Sequence, residues 1–242
     1  MPAPRKFSRE QLRTAALTLV DAHGLAALTM RSLAAALGTG AMTIYNYVDG
    51  REGLEGLLVE AVMADALPAA DPTAALADWR ADIRRLAEAN WRAVRAHPDV
   101  IPLILTRRID DEATLAHGEA LLRALARSGR RGPDLLYAFR TVTAFVTGFA
   151  QAELAGPQSI APADDVQAIT ARARTLPAAR FPYLIEIATA AAESTPDTEF
   201  HAGLDLLLTA LEQHPIPGGP TRPASEGEDQ SRGGGGGRSA RP

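Results

Sequence analysis

The chain has 242 residues, no cysteine, 46% hydrophobic residues and a net charge of −4. That length and apolar content can bury a small module and a larger second unit, and the lack of cysteine excludes disulfides, thiol nucleophiles and cysteine-ligated zinc. No stretch approaches the roughly 18 apolar residues of a membrane span, and the start lacks an apolar signal core, so a cytoplasmic chain without a membrane partner is expected.

Charge is distributed unevenly. Through Arg51 there are six basic residues (Arg5, Lys6, Arg9, Arg13, Arg31, Arg51) against three acidic ones (Glu10, Asp21, Asp49), leaving the remainder acidic. A basic head on an acidic body suits a nucleic-acid contact confined to one end. Arg5, Lys6 and Arg9 could form a basic arm to backbone or minor groove, an unstructured charged start being the other reading.

In chain order, the first helix opens at Ser8, where Gln11 completes a capping box and Phe7 and Leu12 form a hydrophobic staple. Leu12, Ala15, Ala16, Leu19 and Val20 make its apolar stripe, and Gly24 supplies the stop. A short second helix is capped by Thr29 and runs through Leu33, Ala34 and Leu37 to Gly38. After that glycine turn, Ile44 and Val48 face inward while Thr43, Tyr45, Asn46 and Tyr47 face outward. Asp49 and Glu52 look like a further capping pair opening a fourth helix through Leu54, Leu57, Leu58, Val62 and Met63.

Two short helices joined by a tight glycine turn, the second presenting hydroxyls and an amide, form a helix-turn-helix. Thr, Tyr and Asn can bond phosphate oxygens or base edges, and the slim Gly40-Ala41 start lets the helix approach the groove floor. Spacing alone fits equally a solvent-facing polar stripe with two partly buried tyrosines.

The stretch Leu28-Thr29-Met30-Arg31-Ser32-Leu33-Ala34, then Leu37-Gly38, Thr43-Ile44-Tyr45-Asn46-Tyr47-Val48, Arg51 and Leu54, resembles the DNA-binding signature of the TetR repressors. Departures are Tyr47 in place of the family's usual His, Gly40 where Ser is frequent and Arg51 where Lys is frequent. The resemblance implies an all-α fold: an N-terminal three-helix DNA-binding domain over 1–50, then a helical ligand-binding and dimerisation domain over 51–213. It also implies that Tyr45, Tyr47 and Arg51 contact phosphates, while Met30, Arg31, Ala41, Met42, Thr43 and Asn46 face the groove. Arg31 is the candidate base reader, since arginine pairs bidentately with guanine.

In the body, Asp71-Pro72 starts another helix. Trp79, Ile83, Leu86, Ala87, Asn90, Trp91 and Val94 stripe a long one that ends at His97-Pro98. Pro98 to Arg107 is a short apolar segment, 111–127 is amphipathic, and Ser128 to Pro133 is a basic loop. The most apolar helix runs from Pro133 to about Leu154, and Thr195-Pro196 caps a last one bearing Phe200, Leu204, Leu207, Leu208 and Leu211. The resemblance implies that these two build a four-helix bundle with a second copy, although intramolecular core fits the pattern equally well.

Within Phe145 to Glu153 the chain also resembles the tetracycline-repressor branch, whose drug and magnesium ligands correspond here to Ile104, Leu86 and Asn90. Those residue types argue against tetracycline and its metal and favour a hydrophobic effector. Candidate ligand contacts are Leu86, Asn90, Trp91, Ile104, Arg107, Phe139, Thr143 and Phe149, with core packing as the alternative for each. No metal or organic cofactor is expected. Residues 214–242, rich in Pro and Gly with five consecutive glycines, form a disordered tail on composition. His97, His117, His201 and His214 are scattered and no nucleophile elbow or phosphate loop occurs, so an enzyme is not indicated. The expected function is a ligand-responsive repressor on double-stranded operator DNA; the alternative is a helical ligand-binding protein or enzyme that never touches DNA.

Overall fold

The computed structural model describes residues 6–67, 78–106, 111–155 and 163–213, and among these the chain is helical without a strand. The expected helix at Asp71-Pro72, Arg5 and the tail over 214–242 lie outside the described residues. No described helix is long and apolar enough to cross a membrane.

Helix α1 (Arg9–His23) starts in the expected capping box: Ser8 Oγ accepts from Gln11 N at 3.1 Å, and Gln11 Oε1 from Ser8 N at 2.8 Å. Gly24 ends it at φ 78°, a positive dihedral that favours glycine, but its ψ of 165° carries the chain into an extended link and a 3₁₀ turn. Helix α2 (Met30–Ala36) is capped reciprocally by Thr29 and Ser32. It ends in a Schellman motif: Thr39 N donates to Ala34 O at 2.9 Å and Gly38 N to Ala35 O at 3.1 Å, with Gly38 at φ 61°. Helix α3 (Ala41–Tyr45) then packs through Ile44, which is fully buried.

Helix α4 (Gly50–Asp65) departs from expectation at its start. Asp49 occupies the cap position, yet its side chain makes no capping bond to the Glu52 turn. Gly50 enters the helix at φ 59°, which swings Asp49 out of capping register. Gly53 lets α4 fold closely onto the link that precedes it, where a Cβ would meet the Cβ of Val48 at 2.9 Å. Every residue from Leu57 to Met63 is buried, because α4 has neighbours all round: α1 on one side and three body helices on the other.

Those body helices are α5 (Trp79–Ala96), α6 (Ile101–Thr106) and α7 (Glu112–Arg127), followed by α8 (Gly132–Ala155). Asp78 caps α5 and Asp111 caps α7, each through its carboxylate. Helices α9 (Ala163–Arg174) and α10 (Pro182–Ala191), neither of which the apolar periodicity signalled, pack chiefly against one another. The final α11 (Pro196–Gln213) begins at Thr195, whose hydroxyl accepts from Thr198 N at 3.2 Å.

An aromatic stack locks α5, α8 and α11 together. Phe200 lies on Trp91 with centroids 4.3 Å apart and nearly parallel planes, and Phe149 meets Phe200 edge-on at 5.4 Å. Beside it, the buried carboxylate of Glu153 accepts from Trp91 Nε1 at 3.0 Å and pairs with Arg95 at 2.8 Å. Arg95 also covers the Trp91 ring, 5.0 Å from its centroid.

Candidate functional site

The exposed surface of the helix-turn-helix comes from the cores of α2 and α3. Burying Leu33, Ala34 and Ile44 leaves Arg31, Met42, Tyr45 and Asn46 outward, with Met42 77% exposed and Tyr45 50% exposed. Ala41 and Thr43 are half-buried beside them, the Thr43 hydroxyl meeting that of Thr39 at 3.2 Å. Arg51 is exposed at the head of α4 and pairs with Glu55 at 2.7 Å.

Two expectations for this surface need correction. Met30 is buried and faces no groove; it stands three and four positions before Leu33 and Ala34, on the core-facing stripe of α2. Arg9, read as part of a basic arm, is committed to α4, its guanidinium 2.6 Å from Glu60. Tyr47 is half-buried and has a scaffold role, its hydroxyl accepting the Phe7 N–H at 2.9 Å and so tying the start of α1 to the end of α3.

The body contains a cavity of about 680 Å³, walled by α4 (Val59, Met63), α5 (Ala87, Asn90), α6 (Ile104, Leu105), α7 and α8. A volume of this size suits a drug-sized organic molecule. Four expected residues, Asn90, Ile104, Phe139 and Thr143, line it. Leu86, Trp91 and Phe149 do not: Leu86 and Trp91 are buried core, and Phe149 packs edge-on against Trp91 and Phe200. Of the aromatic candidates, Trp91 and Phe149 belong to the stack that holds the cavity's supporting helices, and Phe139 to the lining. Arg107 lies outside the described residues.

Two buried polar groups were not among the expected site residues. His117, set aside as one of several scattered histidines, lines the cavity while 94% of its surface is buried, and its Nε2 stands 3.4 Å from Asn90 Nδ2. Glu60 is buried at the α1–α4 contact, held by Arg9 and by Arg13 at 3.2 Å. One signal for it was available: Glu60 is the sole charge in the apolar run Leu57 to Met63.

Burial pushes the His117 imidazole below its ordinary value of 6.5, against the nearby Ala66 carbonyl, which favours the protonated form. Since the folded state resists a proton that the unfolded chain accepts, stability is lost as pH falls from 6.5 toward the lowered folded value and levels off beneath it. Replacing His117 with Gln is expected to flatten this part of the profile, which urea melts at stepped pH would show.

Residues 71–214 match the family described as tetracyclin repressor-like, C-terminal domain. The chain is 32% identical over 142 residues to the HTH-type transcriptional repressor DrrR1 of Streptomyces coeruleorubidus, covering 58% of this chain and about half, 51%, of that protein. It is 28% identical over 212 residues to the tetracycline repressor protein class C of Escherichia coli, covering 86% of this chain and 92% of that one. Among solved structures, a TetR regulator from Streptomyces coelicolor superposes with a TM-score of 0.74 at 26% identity, covering 85% of this chain and 98% of that one. Apo ActR from the same organism gives 0.71 at 25% identity, covering 87% and 97%. A family match over more than half its length, on a helical body joined to a helix-turn-helix, establishes that the chain belongs to the TetR family.

Proposed function

We propose that this protein is a ligand-responsive transcriptional repressor that binds a near-palindromic operator as a homodimer and is released by a small, largely hydrophobic organic effector. On this reading 1–50 is the DNA-reading unit and 51–213 the effector and dimerisation unit. The observation that carries it is the double role of α4: Val59 and Met63 wall the cavity, while Glu60 between them holds α1 of the helix-turn-helix. An effector that binds one position of α4 better than another shifts the DNA-reading unit by that difference in affinity.

Supporting the DNA contact, Met42, Tyr45, Asn46 and Arg31 form one exposed face. Supporting the dimer, α8 exposes Thr141, Ala144, Gly148 and Ala152, and α11 exposes Ala202 and Leu206, the last 75% exposed. Small residues at three- and four-residue spacing let helices approach closely. Such a dimer presents two reading heads to successive major-groove faces roughly 34–36 Å apart. Supporting the effector, a solved structure of ActR, similar to this chain at 25% identity, holds (S)-DNPA.

The test is selection of bound duplexes from a random library, followed by anisotropy titrations at stepped salt. Affinity should fall steeply with salt, as counterions are released from neutralised phosphates. Arg31→Ala is expected to relax preference at one base position, a discrimination of about 1–3 kcal/mol, while Tyr45→Phe weakens all sequences alike. Salt-independent binding, or no enrichment of any duplex, would overturn the proposal.

A further inference from the structure

We propose that Asn90 and His117 together recognise a hydroxyl group on an otherwise apolar, uncharged effector. This inference rests on the reading of the cavity as the effector site and names the chemistry of its occupant.

Most polar groups in the cavity wall are already engaged. Thr114 is turned onto its own helix cap, donating to Asp111 from both its hydroxyl and its backbone N–H. The Thr143 hydroxyl donates to Phe139 O at 2.8 Å within α8. Of the charged groups, Arg140 is exposed, Glu119, 63% exposed, pairs with Arg123, and the half-buried Asp111 carboxylate is taken up by Thr114 at the start of α7. An anionic effector group in the interior would therefore be desolvated with no buried counter-charge, which is costly.

Asn90 and His117 are different. Their single mutual contact is long, at 3.4 Å, and an amide nitrogen only donates, so His117 Nε2 accepts and the ring proton resides on Nδ1. That Nδ1 is buried with no hydrogen-bond partner. The Ala66 carbonyl acts on the ring, so His117 serves the site by holding Asn90, and the carboxamide presents the polar atoms open to an effector. A carboxamide has two donor positions and an acceptor, and the long contact occupies one of them loosely. The carboxamide of Asn90, held by a neutral imidazole, offers both donor and acceptor and matches a group that both donates and accepts, which is a phenolic or alcoholic hydroxyl. Sites with underused polar groups discriminate strongly against an analogue lacking the matching one, because binding it buries them unpaired.

The test uses fluorene and 2-hydroxyfluorene, rigid apolar probes differing by one hydroxyl, and fluorene-2-carboxylate as the charged comparison. Each is titrated by its own fluorescence into the full chain. Both neutral probes are expected to bind, the hydroxylated one at least about 10-fold more tightly, with the carboxylate weakest. Asn90→Leu should reduce the preference for the hydroxylated probe to within about 2-fold, and His117→Gln, which keeps a polar group, should retain part of it. Equal binding of the neutral probes by the unaltered protein overturns this proposal and needs no variant to fold. So does tightest binding of the carboxylate, or a preference undiminished in Asn90→Leu. Failure of all three to bind sinks the reading of the cavity itself, and this inference with it.

Discussion

Truncating Phe200 to alanine is expected to lower the unfolding free energy by about 3–5 kcal/mol, the range for deleting a fully buried aromatic ring. Phe200 is wholly inaccessible, stacked on Trp91 and flanked by Phe145 and Phe149. The vacated space cannot close easily, because Trp91 is itself pinned through Nε1 to the buried Glu153, which Arg95 holds in turn. For a chain of this length the loss corresponds to roughly 10 °C in thermal midpoint. Phe149→Ala should cost less, since that ring is only half-buried. Thermal melts at fixed protein concentration check the pair; equal small effects would show that the stack is not a keystone of the body.

Glu60→Ala carries the second large effect, an expected loss of about 2–3 kcal/mol together with a weaker hold on operator DNA. Removing one partner of a buried ion pair leaves the other charge short of solvent. Here the penalty falls chiefly on Arg13, whose side chain is 23% exposed, and is softened at Arg9, 59% exposed and able to rehydrate. Arg9→Ala alone is therefore expected to stay below about 1 kcal/mol, as for an exposed pair. A double-mutant cycle between Arg13 and Glu60 measures the coupling, and on the proposed reading operator affinity falls in Glu60→Ala while fluorene binding is retained. Unaltered DNA affinity in a folded Glu60→Ala protein would argue that α4 does not position the reading head.

What was legible in the sequence follows the range of the forces involved. Ser8 with Gln11, Thr29, and Gly38 are local signals, satisfied by partners within five residues, and each performs the expected role. The Asp49 cap failed although its partner was equally local: Gly50 enters α4 at φ 59°, a left-handed conformation that the residue pattern of a capping pair does not announce. The cavity lining was only half readable: a periodic stripe says that a residue faces inward but not whether it meets a neighbouring helix or empty space. Asn90 and Trp91 are adjacent in sequence, yet one lines the cavity and the other stacks in the core. Helix α10 was silent because none of its side chains is buried, so little apolar periodicity was required of it.

The double duty of α4 also bears on how such a protein can change its ligand. Altering Val59 or Met63 to accommodate a new effector disturbs a helix whose next-door carboxylate anchors the reading head, so a gain in recognition on that wall comes with altered DNA binding. Phe139, Thr143 and His117 stand on α7 and α8, where no such tie to α1 exists among the described contacts. Divergence of effector preference should therefore accumulate on those two helices, while α4 drifts slowly and keeps the output fixed.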